Sequence, residues 1–396
     1  METVLSTTLK KPKIALIVTS VLQVKFFLIP HLVRLSKHYN VTLILKNDHP
    51  DIFRNMELPV RVIFLDIERQ VSFWRDLISL LQLASLIRRE NFALVHTMTP
   101  KAGLLGILTS WFCRVPIRIH TFQGEIWVNK TGVWRWILRT LDRLVARLAS
   151  DILVVSHSER DFLIQEGIVV PANSQVLANG SISGVDIHKF KPDPVVRQVE
   201  RAARNFLPEN IVFLYLGRIT SEKGVFEIAH AFNALALVRP QARLIIAGPN
   251  EGNTQEKLVA LLQSYKNQVR FEPYTDNPEN ILRSSDVLLL PSYREGFGVV
   301  IIEAAAVGVP TIGSRIYGIS DAIEEGKTGI LVNVADAKNL ELAMIQMIDD
   351  SALRNKLGLA ALNRTVHKFQ SDIVLEAFIN YYENLFANYF PNNNFH

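Results

Sequence analysis

Short apolar runs and longer amphipathic stretches alternate along almost the whole chain of 396 residues. In the first half the runs are Ile14–Thr19, Val41–Leu45, Arg61–Leu65, Leu94–His96, Ile117–His120 and Ile152–Val155. In the second half they are Val212–Leu216, Arg243–Ile246, Val269–Phe271, Val287–Leu290, Thr311–Ile312 and Ile330–Val332. They are continuous rather than alternating, which is the pattern of strands buried on both faces of a parallel sheet. Apolar positions at helical spacing fill the gaps, as in Phe73–Arg89 and Phe226–Val238. The alternation predicts two doubly wound, Rossmann-like α/β domains. Gly180, Gly184, Pro192 and Pro194 interrupt it within Asn179–Pro194, and a polar helix over Val195–Asn205 leads into the second sheet. The expected domains are therefore 1–187 and 188–371, followed by an amphipathic helix over about 372–390. Sheets of this kind bind ligands beyond the carboxyl ends of their strands, so the chemistry is expected on loops that follow strands, at a cleft between the two sheets.

Composition narrows the class. Hydrophobic residues make up 48% and charged residues 20%, which excludes intrinsic disorder. The single cysteine, Cys113, excludes a disulfide framework and a cysteine-based metal site, and it fits a reducing compartment. No apolar run reaches the ~18 residues of a membrane-spanning helix. Lys10, Lys11 and Lys13 before Ile14–Val18 imitate a secretory signal, but Gln23, Val24, Lys25 and Phe26 follow where a small-residue cleavage site would stand. A buried first strand in a cytosolic protein is the expectation. The net charge of +5 is unevenly spread: residues 1–186 hold 22 Lys/Arg against 15 Asp/Glu, and the remainder is slightly acidic. Two domains facing different partners follow from that asymmetry. Nucleic acid is not among the expected partners, since the overall charge is small and no binding motif appears.

The most informative stretch runs from Leu290 to Ala304. A buried strand ends, a loop carries Glu295, and Gly296 and Gly298 let backbone approach a ligand closely. A helix starting near Gly298 and Val299 would offer free N–H groups and a positive dipole end to an anion. Glu303 lies about one turn further on, within an apolar run in which a carboxylate needs a partner. One carboxylate on the loop and one on the helix suit two sets of sugar hydroxyls, with the N–H groups between them suited to a phosphate. Gly-Phe-Gly-Val-Val-Ile also resembles a dinucleotide fingerprint, but Ile301 stands where the third glycine belongs. The stretch Gly217-Arg218-Ile219-Thr220-Ser221-Glu222-Lys223-Gly224 opens the second domain in the same way, with two cations on a loop after a strand. They suit a diphosphate, Arg218 as a fork and Lys223 as a point charge, although two surface charges at a helix start would read alike.

Gly217-Arg218-x4-Lys223-Gly224 together with Glu295-x7-Glu303, in that order and at that separation, resembles the retaining glycosyltransferases of family 4, which have the two-domain GT-B architecture. The resemblance spans nearly the whole chain and implies that the final helix crosses back onto the first domain. It implies that Arg218 and Lys223 hold the donor diphosphate, that Glu295 contacts and orients the transferred sugar, that Glu303 takes the ribose hydroxyls, and that N–H groups near Gly298 and Val299 meet the phosphate or sugar. Val95–Leu104 and Ile119–Gly124 are similar to members that build bacterial surface polysaccharides by adding a sugar to a lipid-diphosphate-linked acceptor. Two positions depart from that pattern. Gln123 stands where many relatives have His, and Thr19-Ser20-Val21-Leu22 stands where many have a glycine pair. Lys101, His120 and Gln123 are the acceptor-side candidates. His120 and His96 also fit satisfied core histidines, and Lys101 also fits an ordinary surface lysine.

Within 130–150, Arg135, Arg139, Arg143 and Arg147 recur every four residues beside Trp134 and Trp136. A basic amphipathic helix with tryptophans suits an anionic bilayer, and a core-packing helix with a solvated basic face is the competing reading. The combined expectation is a metal-independent retaining glycosyltransferase that uses a nucleotide diphosphate sugar as co-substrate, needs no cofactor, and works as a peripheral protein on the cytoplasmic face of a bacterial inner membrane. No Asp-x-Asp occurs, so a tightly bound catalytic metal is not expected. A GT-B nucleotide-sugar epimerase and a non-catalytic nucleotide-sugar-binding protein are the alternatives.

Overall fold

The computed structural model describes residues 11–67 and 72–391. Seven parallel strands form the first sheet: β1 (Lys13–Ile17), β2 (Asn40–Leu45), β3 (Arg61–Phe64), β4 (Leu94–Thr97), β5 (Ile117–Phe122), β6 (Asp151–Val154) and β7 (Ser174–Gln175). Their order is β3-β2-β1-β4-β5-β6-β7, so the winding reverses between β1 and β4. Six parallel strands form the second sheet: β8 (Ile211–Leu216), β9 (Ala242–Ala247), β10 (Val269–Glu272), β11 (Val287–Leu290), β12 (Thr311–Ser314) and β13 (Gly329–Val332). The order β10-β9-β8-β11-β12-β13 places the second reversal between β8 and β11. All twelve expected strands are present. Only β7 was not foreseen, because two residues make no apolar run.

The crossover helices carry the amphipathic stretches. α1 (Ile29–His38), α2 (Phe73–Glu90), α3 (Pro100–Phe112) and α4 (Gly132–Leu148) belong to the first sheet. α5 (Val225–Val238) and α6 (Val299–Ala306) belong to the second, and α7 (Ser371–Tyr389) closes the chain. One face of the first sheet packs Leu16, Leu43 and Leu94 against Leu32 and Leu35 of α1 and Phe378, Tyr382 and Phe386 of α7. The other face packs Ile17, Ile44 and Val95 against Leu83 and Ile87 of α2 and Leu105 of α3.

Contacts divide the chain into two compact units. The first holds residues 1–155, 160–177 and 374–396, and the second holds 156–159 and 178–373. Most of α7 thus belongs to the first unit, as the GT-B resemblance implies. Residues 178–187, expected with the first domain, join the second. The Val185 amide donates to Phe369 O at 2.8 Å and the Ser371 amide donates to Val185 O at 2.9 Å, which ties that segment to the end of the preceding helix.

Candidate active site

The loops leaving β8 and β11 start from adjacent strands at the reversal of the second sheet, where a doubly wound fold opens a crevice. Gly224 makes their close approach possible. A Cβ on Gly224, at φ +71°, would lie 2.1 Å from the carbonyl oxygen of Pro291. The Tyr293 amide donates to Glu222 O at 2.9 Å and joins the same loops a second time. Lys223 and Glu295 therefore meet: the lysine Nζ donates to Glu295 Oε1, and Ser292 Oγ donates to the same oxygen at 3.1 Å. Both side chains are mostly buried, at 18% and 16% exposure. Arg218, half-exposed, donates to Glu251 Oε1 at 2.7 Å across to the loop after β9. Each expected phosphate ligand is thus held by a carboxylate before any anionic ligand arrives. The Arg218–Glu251 pair is half-exposed and contributes no more than ~1 kcal/mol, so an anion could displace Glu251 at small cost.

Gly217 lies at the end of β8, while Gly298, in a left-handed conformation, caps α6, whose first residue is Val299. Glu303 lies on α6, as the spacing predicts. Burial pushes its carboxyl up to about 7; Lys189 opposes this shift and Glu279 adds to it. Lys189 Nζ lies 3.4 Å from Glu279 Oε2. A carboxyl with a folded value of about 7 and a usual value of 4.5 favours the folded chain while protonated, so its contribution is lost as pH rises through that window. Glu303→Gln is therefore expected to flatten the fall in stability between pH 4.5 and 7 and to raise stability at pH 8 by up to about 3 kcal/mol. Urea melts at pH 4.5 and 8 check this. Equal slopes in both proteins refute it.

The acceptor-side candidates lie in the first unit, near the carboxyl ends of β4 and β5. Lys101, only 11% exposed, donates to Asp76 Oδ2 at 2.6 Å and is committed to that ion pair. His120 is internal. It is 2% exposed, its Nδ1 lies 2.8 Å from Thr97 Oγ1, and its ring fills the space a side chain at Gly103 would need. Burial pushes its imidazole down to about 3, so it is neutral near pH 7. His96 is likewise internal, between Tyr382 OH of α7 at 2.7 Å and Thr121 Oγ1 at 2.6 Å. Gln123 donates to Met98 O at 2.7 Å, and Gln23 Nε2 reaches the same carbonyl at 3.2 Å and Gln123 Oε1 at 3.4 Å. A helical turn beginning at Val21 brings Gln23 to Gln123.

The arginine stripe of α4 does not face outward. Arg135 and Arg139 pair with Glu166 at 3.6 and 3.1 Å, Arg139 also donates to Glu166 O, and Arg143 Nε donates to Gly167 O at 2.9 Å. Arg139 and Arg143 thus bond carbonyls just past the His157–Gln165 helix, and Arg135 pairs with the Glu166 side chain. The exposed side of α4 is apolar, with Val133, Trp134 and Trp136 at 71%, 64% and 67% exposure. Glu251, Ser292, Lys189, Glu279 and Gln23 were not foreseen, because nothing in a local pattern marks a partner supplied by another loop.

Residues 196–364 match the family described as Glycosyl transferases group 1, and residues 29–180 match the Glycosyl transferase 4-like domain. The capsular polysaccharide biosynthesis glycosyltransferase CapM of Staphylococcus aureus is 30% identical over 314 residues, 79% of this chain and 82% of that protein. The UDP-Gal:alpha-D-GlcNAc-diphosphoundecaprenol alpha-1,3-galactosyltransferase of Escherichia coli is 25% identical over 339 residues, 84% and 86% of the two chains. Among solved structures, HepE of Anabaena in complex with UDP and glucose is similar in fold, with a TM-score of 0.79 and 18% identity, over 94% of this chain and 100% of that one.

Proposed function

The chain belongs to glycosyltransferase family 4, with the GT-B fold, and on that premise we propose that it is a retaining, metal-independent enzyme moving a sugar from a nucleotide diphosphate sugar to a lipid-diphosphate-linked saccharide. The observation that carries this reading is the meeting of Lys223 and Glu295 between the β8 and β11 loops, with Arg218 on the same approach. Arg218 and Lys223 would take the departing diphosphate and stabilise its developing charge, a preorganised electrostatic contribution. Glu295, released from Lys223 as the diphosphate binds, would orient the sugar. Glu303 and the first amides of α6 would take ribose and phosphate. Retention is supported by the paired glutamates of the family motif. Independence from metal is supported by Arg218 and Lys223, two cations that would neutralise the departing diphosphate. A lipid-linked acceptor is supported by the E. coli relative, whose name specifies one. Neither the epimerase nor the binding-protein alternative gains support from these relatives.

A panel of UDP-, GDP- and ADP-sugars tests the reading, with slow hydrolysis and thermal stabilisation as readouts. At least one is expected to do both. Failure of all of them to bind at millimolar concentration overturns it.

We place the enzyme peripherally on the membrane face where nucleotide sugars are available. Among the described residues no helix is long and apolar enough to cross a membrane. Support comes from the outward faces of two helices in one layer, α4 with Trp134 and Trp136 and α2 with Trp74, Ile78 and Leu81 at 73%, 55% and 65% exposure. Exposed Lys130, Arg88, Arg89 and Arg147 border them and complement anionic headgroups. Replacing Trp134 and Trp136 by Ser is expected to reduce flotation with phosphatidylglycerol vesicles at least tenfold while leaving donor hydrolysis unchanged. Undiminished flotation removes α4 from the membrane contact.

A further inference from the structure

Glu295 needs more than its two side-chain partners. It precedes Gly296 on a loop, and the backbone there determines where the carboxylate points. The turn Ser156–Glu159, which clusters with the second unit, reaches that backbone from 140 residues earlier in the chain. Ser156 Oγ donates to the Gly296 carbonyl at 2.8 Å in a buried contact. The Ser158 amide donates to Asp321 Oδ2 at 3.0 Å and its hydroxyl donates to the same oxygen. The Gly318 amide in turn donates to Ser158 Oγ at 2.9 Å. Gly318, at φ +78°, sits directly on the loop: a Cβ there would lie 2.5 Å from Gly296 O and 2.6 Å from Glu295 O. Asp321 is itself anchored, its carbonyl accepting from Arg364 Nη2 at 2.6 Å. An ionised carboxylate only accepts, so the Ser158 hydroxyl must give its proton to Asp321 and present a lone pair to Gly318. That fixes its direction.

We propose that Ser156, Ser158 and Asp321 are positioning residues of the donor site, holding the backbone of Glu295 and Gly296 so that the Glu295 carboxylate stays aimed into that site. Ser156 holds the Gly296–Phe297 peptide by its carbonyl, and Ser158 with Asp321 holds the Gly318 backbone against the carbonyls of Glu295 and Gly296. This inference rests on the donor role of Glu295 given above. A misplacement of about 1 Å at a reacting centre costs on the order of 100-fold in rate, and none of these residues has to touch the donor to cause it.

The test compares Ser158→Ala, Ser158→Thr and Asp321→Asn with the wild-type full chain. Hydrolysis of UDP-galactose, UDP-N-acetylgalactosamine and GDP-mannose yields kcat and KM, and amide hydrogen exchange follows residues 291–298. Ser158→Ala and Asp321→Asn are expected to lower kcat about 30-fold with donor KM within about threefold. Ser158→Thr, which keeps the hydroxyl, stays near wild type. Exchange of 291–298 accelerates at least tenfold in Ser158→Ala. Unchanged kcat and exchange in Ser158→Ala, or equal losses in Ser158→Ala and Ser158→Thr, overturn the proposal. If the wild type turns over none of the three sugars, the donor reading is what has failed, and the exchange result alone decides the positioning role.

Discussion

Replacement of Lys223 by alanine is expected to lower kcat/KM at least about a thousandfold, the upper end of what one preorganised charge contributes to a transition state. Two effects combine. The departing diphosphate loses its point charge, and Glu295, mostly buried, loses its ionic partner and keeps only Ser292. An unpaired carboxylate at 16% exposure costs about 1–3 kcal/mol of stability, less than a fully buried one because solvent still reaches it. The double variant Lys223→Ala, Glu295→Gln separates the two. It is expected to regain the stability, since the remaining amide is neutral, and none of the activity. Recovery of activity along with stability would show that Lys223 serves the fold and not the chemistry. Lys223→Arg is not expected to rescue, because a planar fork cannot occupy the place of a compact ammonium beside one oxygen. Steady-state kinetics of donor hydrolysis and urea melts on the same samples provide both readouts.

The second large effect concerns Gly224. Gly224→Ala places a methyl group 2.1 Å from Pro291 O, a distance no real contact tolerates, and in a left-handed backbone besides. The loops after β8 and β11 must separate, and Lys223 leaves Glu295. Gly326 provides the control: it has nearly the same φ, +69°, and nothing within 4 Å of an added Cβ. Gly326→Ala is expected to cost about 1–2 kcal/mol, the backbone term alone. Gly224→Ala should cost at least about 2 kcal/mol more and abolish donor binding. Thermal melts of both variants, with and without UDP, check the difference. Equal destabilisation would mean that the two loops can part without loss.

The sheets were legible because a strand buried on both faces must be continuously apolar, and Val287–Leu290 or Val212–Leu216 can be nothing else. The approach of the β8 and β11 loops was legible because glycine, cation and carboxylate immediately after such strands have few other structural uses. Pairings across the fold were not. Arg135, Arg139 and Arg143 share a face by helical period, but the period does not say that Glu166 and Gly167 lie opposite, so a stripe that suits a bilayer proved to satisfy the end of a neighbouring helix. That the His120 ring packs against Gly103 was not legible either, because nothing in the local pattern marks which glycine makes room for it. Ser156, Ser158 and Asp321 are ordinary residues at or just before the starts of two helices, and only their meeting with Gly296 and Gly318 distinguishes them.

The return of α7 to the first sheet also sets an order of assembly during synthesis. His96 and its partner Tyr382 are 286 residues apart. At roughly 5–20 residues per second, β4 leaves the ribosome some 15–60 s before the helix that covers its sheet. The second unit, apart from the turn 156–159, is continuous from 178 to 373 and can complete its core within that interval. The amino-terminal sheet must therefore finish last, with the surface that will receive Phe378, Tyr382 and Phe386 bare to solvent until then. That waiting surface is where aggregation and chaperone capture of the nascent chain should concentrate.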